Sequence, residues 1–170
     1  TTIRDCRFMA QSVEPRTYGQ PAITVYKSHD IILRDNHIFK RSIGILSHSP
    51  DCRFTGNIIT ACSVAIESNS ANCMIDNNRM FPFDATSPKT GTMQNCIYLG
   101  GLEKYLHNIS IRENNLGHPD GYAIVARFPR NANDCLVDGN QFLQVAGKGL
   151  VHNVIMDETR QNIRRMNRPY

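Results

Sequence analysis

The sequence predicts an all-β chain wound as a single-stranded parallel β-helix, a solenoid of about six to seven coils with three short strands in each. Three observations predict it. An eight-residue pattern recurs with asparagine in a fixed slot, a polar marker stands just ahead of every copy, and a third alternating segment fills the rest of each repeat.

The pattern is apolar, variable, apolar, two polar or small residues, Asn, variable, apolar. It occurs as IILRDNHI (31–38), CRFTGNII (52–59), CMIDNNRM (73–80), ISIRENNL (109–116) and CLVDGNQF (135–142). The asparagines are Asn36, Asn57, Asn78, Asn114 and Asn140, at steps of 21, 21, 36 and 26 residues. TTIRDCRF (1–8) is a further copy, with Cys6 in the asparagine slot. The markers are Asp30, Asp51, Asn72, Asn108 and Asp134, and Asn153 repeats the marker before VIMD (154–157). The third segments are ITVYKS (23–28), IGILSH (43–48), VAIESN (64–69), CIYLGG (96–101) and YAIVAR (122–127).

Alternation with a period of two over three to five residues specifies strands, and helical spacing fails everywhere except DETRQNIRRM (157–166). Three strands in about 21 residues fit one solenoid coil, in which each strand pairs with its counterpart one turn later. The asparagines then belong to corners, where Asn tolerates the left-handed backbone of a sharp bend. Successive coils stack them at roughly 4.8 Å, so that their amides hydrogen-bond along the stack. The domain is expected over 1–156, with 157–170 as a basic C-terminal tail or cap. In that cap a short helix starts at Asp157, with Ile163 and Met166 facing the last coil and Arg160, Arg164, Arg165 and Arg168 outward.

This pattern, carried by residues 1–156, resembles the right-handed parallel β-helix superfamily of pectin-lyase-like proteins. Pectate lyases, polygalacturonases, alginate epimerases, bacteriophage tailspikes and adhesins belong to it, and most act on or adhere to polysaccharides. The resemblance therefore implies a module that recognises or processes carbohydrate, with a polysaccharide or oligosaccharide as partner, in a longer chain such as a tailspike. An enzyme here would be a lyase, glycoside hydrolase or epimerase. The alternative is a non-catalytic structural or adhesive module of a virion or surface assembly, because fold alone does not fix function. Neither the DPHD of mannuronan epimerases nor the NTD…DD…GHG set of polygalacturonases is present, so no catalytic set carries over.

Composition narrows the partners. Net charge is +4 and much of it lies in IRRMNRPY (163–170), which does not suit nucleic-acid binding. No run of about 18 apolar residues exists, so no membrane insertion is expected. No signal peptide opens the chain, and the abrupt start suggests a fragment of a longer parent, virion-borne or secreted. The cysteines Cys6, Cys52, Cys62, Cys73, Cys96 and Cys135 form no CxxC or zinc-type spacing, so no metal or cofactor is expected. Cys52 and Cys73 become stacked neighbours, better placed as buried free thiols than as a bridge.

Alternation then sorts the faces. Core rows run Ile3, Leu33, Phe54, Ile75, Ile111, Val137, Met156 and Phe8, Ile38, Ile59, Met80, Leu116, Phe142. An outward row runs Arg4, Arg34, Thr55, Asp76, Arg112, Asp138, Asp157. Asp76 and Asp138 would stand two coils apart, roughly 9–10 Å, with Arg112 between them. That separation suits an acid–base pair flanking a water, and it suits an ion-pair ladder on a solvated face equally well. A second outward row includes Ile32, Met74 and Leu136, a candidate contact for a second copy or for the rest of the parent chain.

On the third strand the outward row is Tyr26, Leu46, Glu67, Tyr98, Val125, Val151, in which Tyr26, Glu67 and Tyr98 offer stacking and hydrogen bonding to sugars, or else surface packing under a loop, which is the favoured alternative. The loops 82–95 and 117–121 are neighbours in such a solenoid. They bring Asp84, Lys89, His118 and Asp120 to one edge as a candidate acid, base and cation set, with Lys89 a carbohydrate contact.

Overall fold

The computed structural model describes residues 1–9, 20–81, 95–100, 106–117, 123–126, 135–142, 155–157 and 163–166. The strands follow the repeat coil by coil. The first coil holds β1 (Thr2–Arg4), β2 (Arg7–Met9) and β3 (Ile23–Val25), the second β4 (Ile32–Arg34), β5 (His37–Phe39) and β6 (Ile43–Ser47). The third holds β7 (Arg53–Thr55), β8 (Ile58–Thr60) and β9 (Val64–Ser68), the fourth β10 (Met74–Asp76), β11 (Arg79–Phe81) and β12 (Asn95–Leu99). Then come β13 (Ser110–Arg112), β14 (Asn115–Leu116) and β15 (Ile124–Ala126), followed by β16 (Cys135–Asp138), β17 (Gln141–Phe142) and β18 (Ile155–Asp157). The strand β19 (Ile163–Met166) opens a seventh turn.

Every pairing is parallel and joins a strand to its counterpart one coil on. The first sheet runs β1-β4-β7-β10-β13-β16-β19, the second β2-β5-β8-β11-β14-β17 and the third β3-β6-β9-β12-β15-β18. This is the right-handed parallel β-helix expected, with three strands per coil.

The corner between first and second sheets is built differently from the expectation in one respect. The left-handed residue is not the asparagine but the one before it: Asp5 (φ 55), Asp35 (φ 53), Gly56 (φ 67), Asn77 (φ 56), Glu113 (φ 54) and Gly139 (φ 63). A left-handed bend at that position turns the next side chain inward, where Asn57, Asn78 and Asn114 are fully buried. Each amide is then satisfied. Asn57 Oδ1 accepts from Asn36 N and Asn36 Nδ2, both at 3.0 Å, while Asn57 Nδ2 donates to Asn78 Oδ1 and to Leu33 O, both at 2.9 Å. The same two-way pattern joins Asn78 to Asn114 and Asn114 to Asn140. The marker residues Asp30 (φ 55), Asp51 (φ 58), Asn72 (φ 56) and Asn108 (φ 53) make a second column of left-handed corners. It is laced on the outside by Asn72 Nδ2 to Asp51 Oδ1 at 2.9 Å and Asn108 Nδ2 to Asn72 Oδ1 at 3.2 Å.

The core lies between the three sheets. Leu33, Phe54, Ile75, Ile111 and Val137 fill it from the first sheet, Ile38, Ile59, Met80 and Leu116 from the second, and Ile23, Ile45, Ile66, Ile97 and Ile124 from the third. Each such side chain contributes roughly 1.5–3 kcal/mol by leaving water, which is what closes a coil whose strands are too short to be stable alone. Gly44 marks a tight point in the third sheet: a Cβ there would stand 2.5 Å from Ala65 O and 2.8 Å from Ile59 Cγ2.

Two expectations for the C-terminal part are corrected. VIMD (154–157) was expected in the first sheet, with Met156 in the core row and Asp157 below Asp138. Instead β18 pairs with β15 in the third sheet, placing Met156 beside Val125 and Asp157 beside Ala126. The expected helix from Asp157 is replaced over Ile163–Met166 by β19, which pairs with β16, Asp138 opposite Met166. Val151 lies outside the described residues.

Candidate functional site

The first sheet brings Asp76, Arg112 and Asp138 into register on β10, β13 and β16, as their spacing predicts. The chemistry between them is another matter. The Asp76 carboxylate turns to the preceding coil, where Arg53 Nη2 donates to Oδ2 at 2.9 Å, Arg53 Nε to Oδ1 at 3.4 Å and Thr55 Oγ1 to Oδ2 at 3.2 Å. Arg53 reaches it diagonally, since Thr55 is the residue directly opposite Asp76. The Asp76 side chain is only 10% exposed and is closed off by these donors. Arg112 is exposed and Asp138 half-buried, and among the described residues no hydrogen bond or ion pair joins Arg112 to either carboxylate. In the neighbouring outward row, Ile32 and Met74 are exposed but stand on either side of Arg53.

The third sheet gathers more. Leu46, Glu67, Tyr98 and Val125 stand side by side on β6, β9, β12 and β15, as expected. Tyr26 does not join them. Because β3 has only three residues, its register places Thr24 opposite Leu46, so Tyr26 lies one position beyond the strand in a parallel row with His48. His48 N donates to Val25 O at 2.9 Å, and the Tyr26 and His48 rings meet edge-on at 6.1 Å between centroids. Tyr26 is 61% exposed, with Lys27 Nζ 5.2 Å from its ring centre.

The row continues through residues that sequence reasoning missed. Asn69 N donates to Ser47 O at 2.9 Å and Gly100 N to Ser68 O at 3.3 Å, which sets Asn69 and then Gly100 after His48. A Cβ on Gly100 would lie 2.7 Å from Tyr98 Cε1, so the Tyr98 ring lies across the space this glycine leaves open. Asn69 Nδ2 donates to Glu67 Oε1 at 3.0 Å. Asn69 itself is 2% exposed, and its Oδ1 has no hydrogen-bond partner. At the far end Val125, although outward on its strand, is 2% exposed, so the face deepens from the open Tyr26 end toward Tyr98. The missed signal was the match of His48 and Asn69 at one position of two repeats, followed by glycine at the next.

Asp84, Lys89, His118 and Asp120 lie outside the described residues. Cys6, Cys52, Cys62, Cys73 and Cys96 are free, and all but Cys6 are buried. Cys52 and Cys73 are stacked on adjacent coils and share Ser49 O, at 3.2 Å and 3.8 Å. The neighbouring Cys73 thiol lowers the pKa of Cys52 against the opposing effect of burial, and Cys52, with burial, pushes that of Cys73 up.

No curated protein and no solved structure matches the chain. A family model does, over residues 2–162, with the description periplasmic copper-binding protein (NosD). The match spans nearly all of the three-sheet solenoid and agrees with the pectin-lyase-like resemblance of its asparagine repeat. The chain belongs to the NosD family of right-handed parallel β-helix proteins.

Proposed function

We propose that this β-helix is a carbohydrate-recognising module whose binding face is the outer side of the third sheet, at Tyr98, Glu67, Asn69, His48 and Tyr26. One observation carries the reading: the Tyr98 ring lies across Gly100 beside a carboxylate and a buried amide oxygen that lacks a partner. A flat apolar ring next to fixed polar atoms is what a sugar needs, since its C–H face stacks while its hydroxyls bond at the edge. Tyr26 adds an exposed ring to the half-buried Tyr98, three coils away and roughly 14 Å along the axis, which suits an extended oligosaccharide rather than a single sugar.

A processing enzyme centred on Asp76, Arg112 and Asp138 is the less favoured reading. Asp76 already accepts from Arg53 and Thr55, which suits a structural carboxylate better than a proton-transfer group. The family description names copper. Among the described residues no group of three or more His, Cys, Asp or Glu side chains is placed to hold a metal ion. The stacked thiols Cys52 and Cys73 donate to backbone carbonyls inside the core. The described residues therefore do not fit a copper centre, and no step through copper is derived.

The test is a glycan array followed by titration of each hit by calorimetry. Tyr98→Ala is expected to weaken binding at least tenfold, and Asp138→Asn to leave it unchanged. Hits that bind Tyr98→Ala as well as the parent protein would place recognition elsewhere.

A further inference from the structure

The third-sheet face carries information about which sugar it takes, and this inference rests on the carbohydrate reading above. An ionised carboxylate can only accept hydrogen bonds. The amide of Asn69 must therefore turn its NH2 toward Glu67, as the 3.0 Å contact from Nδ2 to Oε1 requires. That fixes the other half of the amide: Oδ1 is held away from Glu67, buried, and without a partner. A buried acceptor left unpaired is costly, and a ligand N–H or O–H that gains access to it as the side chain turns toward the face recovers that cost on binding. The side chain two residues before it, Glu67, is a second acceptor on the same face, beside Tyr98 in register.

Glu67 and the unpaired half of the Asn69 amide thus both offer acceptors in the rows beside Tyr98, one of them charged. Lys27 stands at the Tyr26 end, against that ring. We infer that the face selects amino sugars, free or N-acetylated, whose nitrogen donates to Asn69 Oδ1 while the pyranose face stacks on Tyr98. Uronates are disfavoured, because their carboxylate would be brought up to Glu67 with no cation beside it among the described neighbours. An amide N–H suffices for Asn69, and an ammonium group gains in addition from the Glu67 charge.

Three probes isolate the point, because they share one β-1,4 backbone and differ at a single carbon: chitosan, chitin and cellulose oligosaccharides of equal length. A fourth, oligogalacturonate, tests the sign of the charge. Calorimetric titration of the full chain is expected to show chitosan and chitin oligomers binding at least tenfold tighter than cello-oligomers, with oligogalacturonate weakest. Asn69→Leu is expected to erase the preference for chitin over cellulose while cello-oligomer binding persists. Glu67→Gln is expected to weaken chitosan selectively, with circular dichroism confirming that both variants keep the fold. Cello-oligomers or oligogalacturonate binding as tightly as the amino sugars would overturn the inference and leave carbohydrate recognition standing. Failure of all four probes, together with an empty glycan array, would overturn both.

Discussion

Asn57 Nδ2 donates to Asn78 Oδ1 at 2.9 Å, and that same oxygen accepts Asn57 N at 2.9 Å. One side-chain oxygen therefore closes both the amide and the backbone of the coil before it. Asn57→Ala would leave Asn36 N without its acceptor and take one partner each from Asn36 Nδ2, Leu33 O and Asn78 Oδ1 in a dry interior. A stranded group costs about 1–3 kcal/mol, and with the other losses the variant is expected to lose roughly 3 kcal/mol or more in urea denaturation. A loss comparable to that of an exposed alanine substitution would show that the column does not hold the coils.

The first rung makes the converse prediction. Cys6 occupies the asparagine slot, and Asn36 Oδ1 accepts Cys6 N at 3.1 Å, while the Cys6 thiol is spent on Arg4 O at 3.2 Å. Cys6→Asn would add the missing amide donor, as in every later coil. The gain expected is about 0.5–1.5 kcal/mol, read as a rise in the denaturation midpoint at unchanged slope. A fall would mean that the corner at Asp5 cannot seat the longer side chain.

Gly44 tests packing rather than hydrogen bonding. Gly44→Ala would push a methyl against the Ala65 carbonyl, which belongs to backbone and cannot step aside. Overpacking of this kind costs about 1–3 kcal/mol. Thermal melts should show the loss, and pairing it with Ile59→Val should not recover it, since valine keeps the Cγ2 that is the second atom in the way.

Asp76 separates the structural from the catalytic reading of its row. Asp76→Ala removes the acceptor for Arg53 and Thr55, leaving a half-buried hydroxyl without that bond and an exposed guanidinium to turn to water. A stability loss of about 1–3 kcal/mol is expected, with oligosaccharide affinity retained. Loss of polysaccharide turnover at unchanged stability would instead make Asp76 a catalytic residue.

Buried thiols set an alkaline limit. Burial pushes the Cys62 thiol up to about 12, with a backbone hydrogen bond from Arg41 pulling the other way. Its folded pKa lies above the ordinary value of 9.0. The stability it contributes is therefore complete below pH 9.0 and is lost as pH climbs toward 12. Each pH unit in that window removes at most about 1.4 kcal/mol. Melting temperatures of the parent and Cys62→Ala are expected to converge as pH rises from 9.0 toward 12, whereas parallel curves would exclude the thiol as the cause.

What repeats in this molecule was legible, and what occurs once was not. Asn36, Asn57 and Asn78 share flanks at identical spacing, so their column and the sheets followed from the letters alone. The bend was assigned to the asparagine because that slot is invariant among the full copies. Its left-handed neighbour varies through Asp, Gly, Asn and Glu, and only Gly56 and Gly139 betray it. Tyr26 slipped from its row because a three-residue strand was aligned from its first letter with a five-residue one. Asn153 reads as a corner marker, and that reading sets VIMD in the first sheet, whereas β18 pairs in the third. Asn69 and Gly100 carry the proposed site through an unpaired oxygen and an empty space. The letters mark the position by the His48 and Asn69 match followed by glycine, but not its chemistry, which depends on how Glu67 and Tyr98, two residues earlier on the same strands, turn their side chains.

All side-chain oxygens of the asparagine column face one way, accepting from the coil before them, while each NH2 from Asn36 to Asn114 donates both on to the next rung and back to a first-sheet carbonyl. Their dipoles therefore add along the axis, with the negative pole at the first coil and the positive pole at the last. The solenoid therefore has a built-in sense along its axis, fixed by side chains rather than by its strands.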